Sequence, residues 1–327
     1  MFHEVRSPHQ PSSIWIFLAL IFLILVWSLN YVVAKIGLRE LPALALASFR
    51  IVTAGLVSLP VVLFPISARK QGVKVTLEVC PGPAKRLQQF WTITYLGVFN
   101  VVLNQGCYTV GLNYTSVSHS SLIIGCAPIL ILLFSCAMRL EALTWRKILG
   151  MGLAFLGAAA VGMEQARSSG AGVAGDLLTL VAGVGLALYT VLGKRVIEEY
   201  GAVRLSLLSN IAAAVLVLPV ALWQVWALAR AGRLGSVGME GWGAVLYMGL
   251  LASAVAYILY IWALRYMTPA RLGAVSYLQP VGAILLGFLL LGEPITRRVA
   301  VGGLLIIAGV HAIETHARGP RAEDELA

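Results

Sequence analysis

Apolar residues in this chain come in long runs of about 18 to 25 positions with few charges inside them. A helix rises about 1.5 Å per residue and a bilayer core is about 30 Å thick, so each run has the length of one membrane-spanning helix. Ten such runs can be drawn, at about 14–34, 44–64, 90–112, 116–138, 146–163, 176–197, 204–229, 242–265, 269–291 and 297–315. The first run is too long for a signal-peptide core and no small-residue cleavage site follows it, so it reads as a retained span. Polar residues collect between the runs. Residues 1–12 and 317–327 are polar tails, 67–89 is the long connection of the first half, and 164–175 is a linker rich in Ser and Gly.

The pattern is duplicated. Tyr95, Gly97, Tyr108, Leu112, Tyr114, Pro128, Glu141, Thr144, Arg146, Gly150 and Gly157 recur 152 positions later as Tyr247, Gly249, Tyr260, Leu264, Tyr266, Pro280, Glu293, Thr296, Arg298, Gly302 and Gly309. Residues 95–157 share 13 identities over 63 positions with their copy, where unrelated apolar segments would share roughly five. The sixth run echoes the first at an offset of 159, matching Lys35 with Lys194 and Glu40 with Glu199. The chain therefore divides into repeats at 13–163 and 176–316, each with five spans. Five is odd, so the second half enters the membrane upside down relative to the first. The predicted fold class is an all-α membrane protein of ten transmembrane helices in two inverted five-helix repeats. Such repeats place a site near the midplane, between the halves, and let it face either side in turn.

Composition agrees with this pattern. Of 327 residues, 59% are hydrophobic and 12% charged, with mean hydropathy +0.88, far from the soluble average of about half apolar and a quarter charged. The net charge of +10 raises the question of nucleic acid. The cations are scattered between apolar runs and form no basic stripe, so they read as loop charges and no nucleic-acid partner is expected. With the N-terminus in the cytoplasm, 16 cations fall on inside segments and 7 outside, Arg50 lying within a span, which predicts cytoplasmic termini. Cys80, Cys107, Cys126 and Cys136 show no C-x-x-C spacing and read as small fillers.

Polar side chains inside hydrocarbon are costly and tend to face a bundle interior or a wet cavity. Trp27, Asn30, Tyr31 and Lys35 stand at helical steps of three and four on the first span, as do Asn100, Asn104 and Tyr108 on the third with Gln105 beside them. Ser253, Tyr257 and Tyr260 repeat the idea on the eighth span; Tyr189 and Thr190 stand on the sixth, and Ser276, Tyr277 and Gln279 on the ninth. Together these faces predict a cavity of amides, hydroxyls and aromatic rings suited to a small neutral or zwitterionic metabolite with an apolar side. The competing account is that such residues are interhelical glue, worth about 0.6 kcal/mol each, or interfacial anchors. His119 aligns with Arg271 under the repeat, and both read either as groups near the cavity mouths or as helix-end residues satisfied locally. Arg50, alone in the second span, reads as a structural residue paired with a span-end carboxylate or carbonyls. Pro128 and Pro280 fall inside matched spans, where a missing backbone donor kinks a helix.

Several parts are missing from the sequence. It has no G-x-x-x-x-G-K-[ST] loop for ATP, no H-E-x-x-H and no G-x-S-x-G. All 14 carboxylates lie at or beyond span ends. No cofactor and no metal are expected.

The repeated pattern resembles the EamA family of the drug/metabolite transporter superfamily. The resemblance rests on Tyr114-Thr115-Ser116, Pro128, Glu141 and Gly157 in one half, and on Leu291-Gly292-Glu293, Gly302, Gly303 and Gly309 in the other. Trp27-Ser28-Leu29-Asn30-Tyr31 is similar to that family's first-span motif, with Ser28 where glycine is common, and Leu140 precedes Glu141 where Gly292 precedes Glu293. The resemblance implies an inner-membrane carrier whose cavity is lined by the first, third, fourth, sixth, eighth and ninth spans.

The function expected is secondary export of a small metabolite such as an amino acid by alternating access. Asn30, Tyr31, Asn100, Asn104, Tyr108, His119, Tyr189, Tyr257, Tyr260, Tyr277 and Gln279 would bind substrate, with Trp27, Arg50, Pro128, Arg271 and Pro280 gating or structural. The partners expected are that substrate and membrane lipid, in a monomer or weak homodimer. A sugar-phosphate exchanger would instead use Lys35, Lys194 and Arg271, and a membrane-embedded lipid-modifying enzyme would need His119 as its acid or base.

Overall fold

The structure is a computed structural model that describes residues 13–63, 83–115, 120, 123–165, 172–282 and 297–315. Among these residues the protein is all-helical. A single apolar segment in hydrocarbon can satisfy its own backbone only as a helix. Helix α1 is Ser13–Glu40, α2 is Ala43–Leu63, and a continuous rod follows as α3 Pro83–Gly97, π1 Val98–Cys107 and α4 Tyr108–Tyr114. Then come α5 Ala127–Ala137, α6 Trp145–Gln165, α7 Val173–Tyr200 and α8 Ala202–Arg230. A second rod is α9 Met239–Leu246, π2 Tyr247–Val255 and α10 Ala256–Tyr266; α11 Pro269–Val275 and α12 Arg297–Thr315 complete the order. Five described helical segments are long and apolar enough to cross a membrane: Ile14–Glu40, Ala43–Leu63, Val173–Tyr200, Ala202–Arg230 and Met239–Tyr266. Pro42 separates α1 from α2, and Gly201 separates α7 from α8 at φ +75°, a conformation that favours glycine.

The molecule turns its apolar side outward. Leu56, Leu216, Trp223 and Leu304 are all at least half exposed, while Asn30, Arg50, Asn100, Asn104, Gln105, Thr109 and Asn210 are buried. That distribution suits lipid outside and polar contacts within.

Helix contacts follow the repeat. A Cβ built on Gly97 would lie 2.7 Å from the Ser209 carbonyl oxygen of α8, and one on Gly249 would lie 3.0 Å from the Arg50 carbonyl oxygen of α2. The offsets of 152 and 159 convert one contact into the other. On the α6 and α12 seam, a Cβ on Gly157 would lie 2.5 Å from the Gly302 carbonyl oxygen, and one on Gly309 would lie 2.5 Å from that of Gly150. These are again the same contact seen from each half. Close backbone approach through small residues is how helices associate where lipid competes for apolar surface.

The ends of the rods are matched as well. Lys35 Nζ donates to the Leu112 carbonyl at 2.9 Å, and Lys194 Nζ donates to the Leu264 carbonyl at 2.7 Å and the Met267 carbonyl at 3.1 Å. Last-turn carbonyls have no partner within their own helix, and a cation there also meets the negative end of the helix dipole. These contacts explain why α1 runs on to Glu40, past the end predicted near residue 34. Glu40 Oε2 accepts from Gly238 N at 2.5 Å, while Glu141 accepts from Ala270 N at 2.9 Å and pairs with Lys147 at 2.7 Å. Glu293, the repeat partner of Glu141, lies outside the described residues.

The proline kinks predicted in the fourth and ninth spans take the form of helix breaks. Turns at Gly125–Cys126 and Ser276–Tyr277 precede Pro128 and Pro280, with shorter bonds from Cys126 N to Ile123 O and from Tyr277 N to Ala274 O.

Gly157→Ala should lower the melting temperature by several degrees, since overpacking costs about 1–3 kcal/mol. Gly152→Ala, which meets nothing within 4 Å, should leave it unchanged or slightly higher. Lys35→Met and Lys194→Met should each cost about 1–3 kcal/mol by stranding buried carbonyls, read as additive losses in a thermal melt of the double variant.

Candidate functional site

Segments from both halves meet around a central cavity of about 70 Å³. The wall carries Trp27, Asn30 and Tyr31 of α1, Arg50 of α2, Asn104 and Gln105 of π1, and Tyr108 of α4. It is completed by Ile124, Leu186 of α7, Ala252 of π2, Tyr257 of α10, and Ser276 and Gln279 at the second break. Repeat offsets pair Trp27 with Leu186, Gln105 with Tyr257 and Ile124 with Ser276. Equivalent positions thus build the wall with unlike side chains.

The two π segments overlap under the 152 offset, and each holds a wall residue. Bonds from i to i+5 widen the turn, and such segments recur at functional sites. Asn104 Nδ2 donates to Tyr257 Oη at 2.5 Å, joining π1 to α10. Trp27 Nε1 donates to the Ala252 carbonyl at 3.2 Å, and its ring lies 5.3 Å from Tyr257 and 5.5 Å from Tyr260. Tyr31 meets Tyr108 edge-on at 5.8 Å. Ser28 Oγ donates to the Gln279 carbonyl at 2.8 Å, tying α1 to the second break.

Arg50 is 2% exposed. Its Nη1 donates to Thr109 Oγ1 at 3.1 Å, and its Nη2 to Gln105 Oε1 at 3.2 Å and Ser253 Oγ at 3.0 Å. Ser253 Oγ in turn lies 2.5 Å from Gln105 Oε1 and 2.6 Å from the Met248 carbonyl. The sequence reading gave Arg50 a carboxylate or carbonyl partner. Its partners are instead neutral side chains, because the carboxylates sit at span ends and Arg50 lies mid-helix at the cavity. No carboxylate lines the wall, so its one formal charge among the described residues is positive.

The structure therefore brings together Trp27, Asn30, Tyr31, Arg50, Asn104, Tyr108, Tyr257 and Gln279. It leaves others off the wall. Tyr189 packs behind Tyr257 at 5.9 Å, and Tyr260 shares a hydrogen bond with Thr190 at 2.8 Å. Tyr277 is buried with Leu132, Met151 and Ile306 between α5, α6 and α12. Asn100 is 1% exposed, and its amide has no protein partner among the described residues. Arg271 lies half-buried on α11, while Pro128 and Pro280 belong to the helix breaks. His119 lies outside the described residues. Ile124, Leu186 and Ala252 carry no polar signal of their own. Only the offsets point to them, opposite Ser276, Trp27 and Asn100. Among the described residues no cluster of His, Cys, Asp or Glu could hold a metal ion.

Comparison with known proteins agrees with this architecture. The model of the EamA-like transporter family matches residues 13–163 and 173–315. An "uncharacterized transporter" of Archaeoglobus fulgidus is 25% identical over 91% of this chain and 98% of its own. A "probable terminal-alkyne amino-acid exporter" of Streptantibioticus cattleyicolor is 25% identical over 95% of this chain and 96% of its own. An "uncharacterized inner membrane transporter", YedA of Escherichia coli, is 24% identical over 86% of this chain and 85% of its own. A solved crystal structure at 21% identity superposes with a TM-score of 0.69, covering 94% of this chain and 99% of that one, which shows a shared fold. Both halves of the repeat match the family, so this chain belongs to the EamA-like transporter family and is an integral-membrane transporter.

Proposed function

We propose that this protein is a secondary carrier of the cytoplasmic membrane that exports a small neutral or zwitterionic metabolite, such as an amino acid, by alternating access. Its ten spans would form two inverted five-helix halves, 13–163 and 176–316, joined by 164–175, with the tails 1–12 and 317–327 in the cytoplasm. The observation that carries this reading is the cavity itself. It lies where the halves meet, its polar and aromatic wall is buried among apolar helices, and the contacts around it repeat at fixed offsets.

Other features support it. The matched breaks before Pro128 and Pro280 supply hinges in equivalent places. Lys35 and Lys194 cap helix carbonyls, which weighs against a phosphorylated substrate held by those cations. Among the described residues the wall has no His, Cys, Asp, Glu or Lys to act as a general acid or base. The relative named as a probable amino-acid exporter matches nearly end to end.

Asn104→Ala should abolish transport at normal membrane abundance, because it removes both a wall amide and the bond to Tyr257; unchanged transport would take Asn104 out of the site. A thermal screen of the purified protein should show an amino acid stabilising it by about 2.7 kcal/mol at 100 times its dissociation constant. Stabilisation confined to phosphorylated compounds would contradict the proposal.

A further inference from the structure

Resting on the carrier reading above, we propose that Arg50 anchors a substrate carboxylate, so that the cavity selects small molecules carrying a carboxylate with an amine beside it. Four buried polar atoms on the cavity residues have no protein partner among the described residues: Arg50 Nε, Gln105 Nε2, the Tyr108 hydroxyl and Asn30 Oδ1. The first two can only donate and the hydroxyl can donate. A carboxylate is acceptor-only, with two oxygens, and suits a guanidinium backed by further donors. Asn30 Oδ1 can only accept, which matches an ammonium, and the faces of Trp27 and Tyr257 add favourable quadrupoles for the same charge.

The repeat separates this role from a purely structural one. Arg50 stands opposite Ser209 at the offset of 159. Both residues offer the backbone carbonyl on which the matched Gly249 and Gly97 pack. The fold is thus served at this position by a serine in one half, and the guanidinium is an addition made where the cavity lies. A charge inside a membrane is costly and marks function by default. An amine lacking a carboxylate would bring a second positive charge to a wall that holds no negative one, which disfavours it.

The test is uptake of labelled leucine, leucinamide and isoamylamine by the purified protein in proteoliposomes. The wild type should carry leucine at least tenfold faster than either of the others. Arg50→Gln should reduce leucine uptake to background, and Arg50→Lys should keep a measurable part. Gln105→Glu sets a carboxylate against the guanidinium at nearly constant shape. It should raise the melting temperature while cutting leucine uptake at least tenfold, a readout that stands even if Arg50→Gln fails to fold. If Arg50 only braced the helices, Gln105→Glu would leave leucine uptake intact. That result, or equal uptake of leucine and leucinamide by the wild type, would overturn the anchor while leaving the carrier in place. Folded wild-type protein that carries none of the three probes would overturn the amino-acid reading and the anchor with it.

Discussion

In hydrocarbon a backbone carbonyl or amide that finds no partner inside the protein has no water to turn to, and each such group costs several kcal/mol. Many of the tertiary polar contacts here answer that constraint. Lys35, Lys194 and Lys147 reach carbonyls, at Leu112, Leu264 and Ala142, while Glu40 and Glu141 take amides from Gly238 and Ala270. Trp27, Ser28 and Tyr247 give their protons to carbonyls of Ala252, Gln279 and Val26 in distant segments. Most of these bonds satisfy a helix end, a break or a π segment and at the same time fix one helix against another.

Symmetry divides the molecule into two kinds of position. Where the repeat holds, as in Lys35 with Lys194 or Gly157 with Gly309, the residues make the same scaffold contact twice. Several of its departures fall on the cavity, as in Arg50 against Ser209, Trp27 against Leu186 and Gln105 against Tyr257, while Tyr108 is a wall residue that the repeat keeps as Tyr260. In the carrier proposed above, a duplicated framework around a chemically unsymmetrical wall would let the framework rock while the wall kept one preferred ligand.

Much of this was legible in the residues. The positions of α1, α2, α7 and α8 followed from run lengths, and the lysine and glycine pairs were visible as matched letters before their contacts were known. The wall was read in part, because steps of three and four find a polar face but not which side of it meets space and which meets a neighbouring helix. Tyr189, Tyr260 and Tyr277 lie on such faces and pack into seams. Asn100 stands about one turn along π1 from Asn104, and a polar face read from spacing does not say how far along the helix the cavity reaches. The partners of Arg50 were not legible, because Gln105 and Thr109 on the first rod and Ser253 on the second lie more than 50 residues from it in sequence.

The account stands on the halves entering the membrane in opposite directions. Asn113 and Arg265 are equivalent under the 152 offset, and both are exposed. Single cysteines at these positions, in a background free of the native cysteines, can be challenged in whole cells with a maleimide that does not cross membranes. Labelling of Asn113→Cys from outside, with Arg265→Cys labelled only after permeabilisation, is the predicted result. Labelling of both from the same side would contradict the inverted repeat and the alternating-access reading built on it.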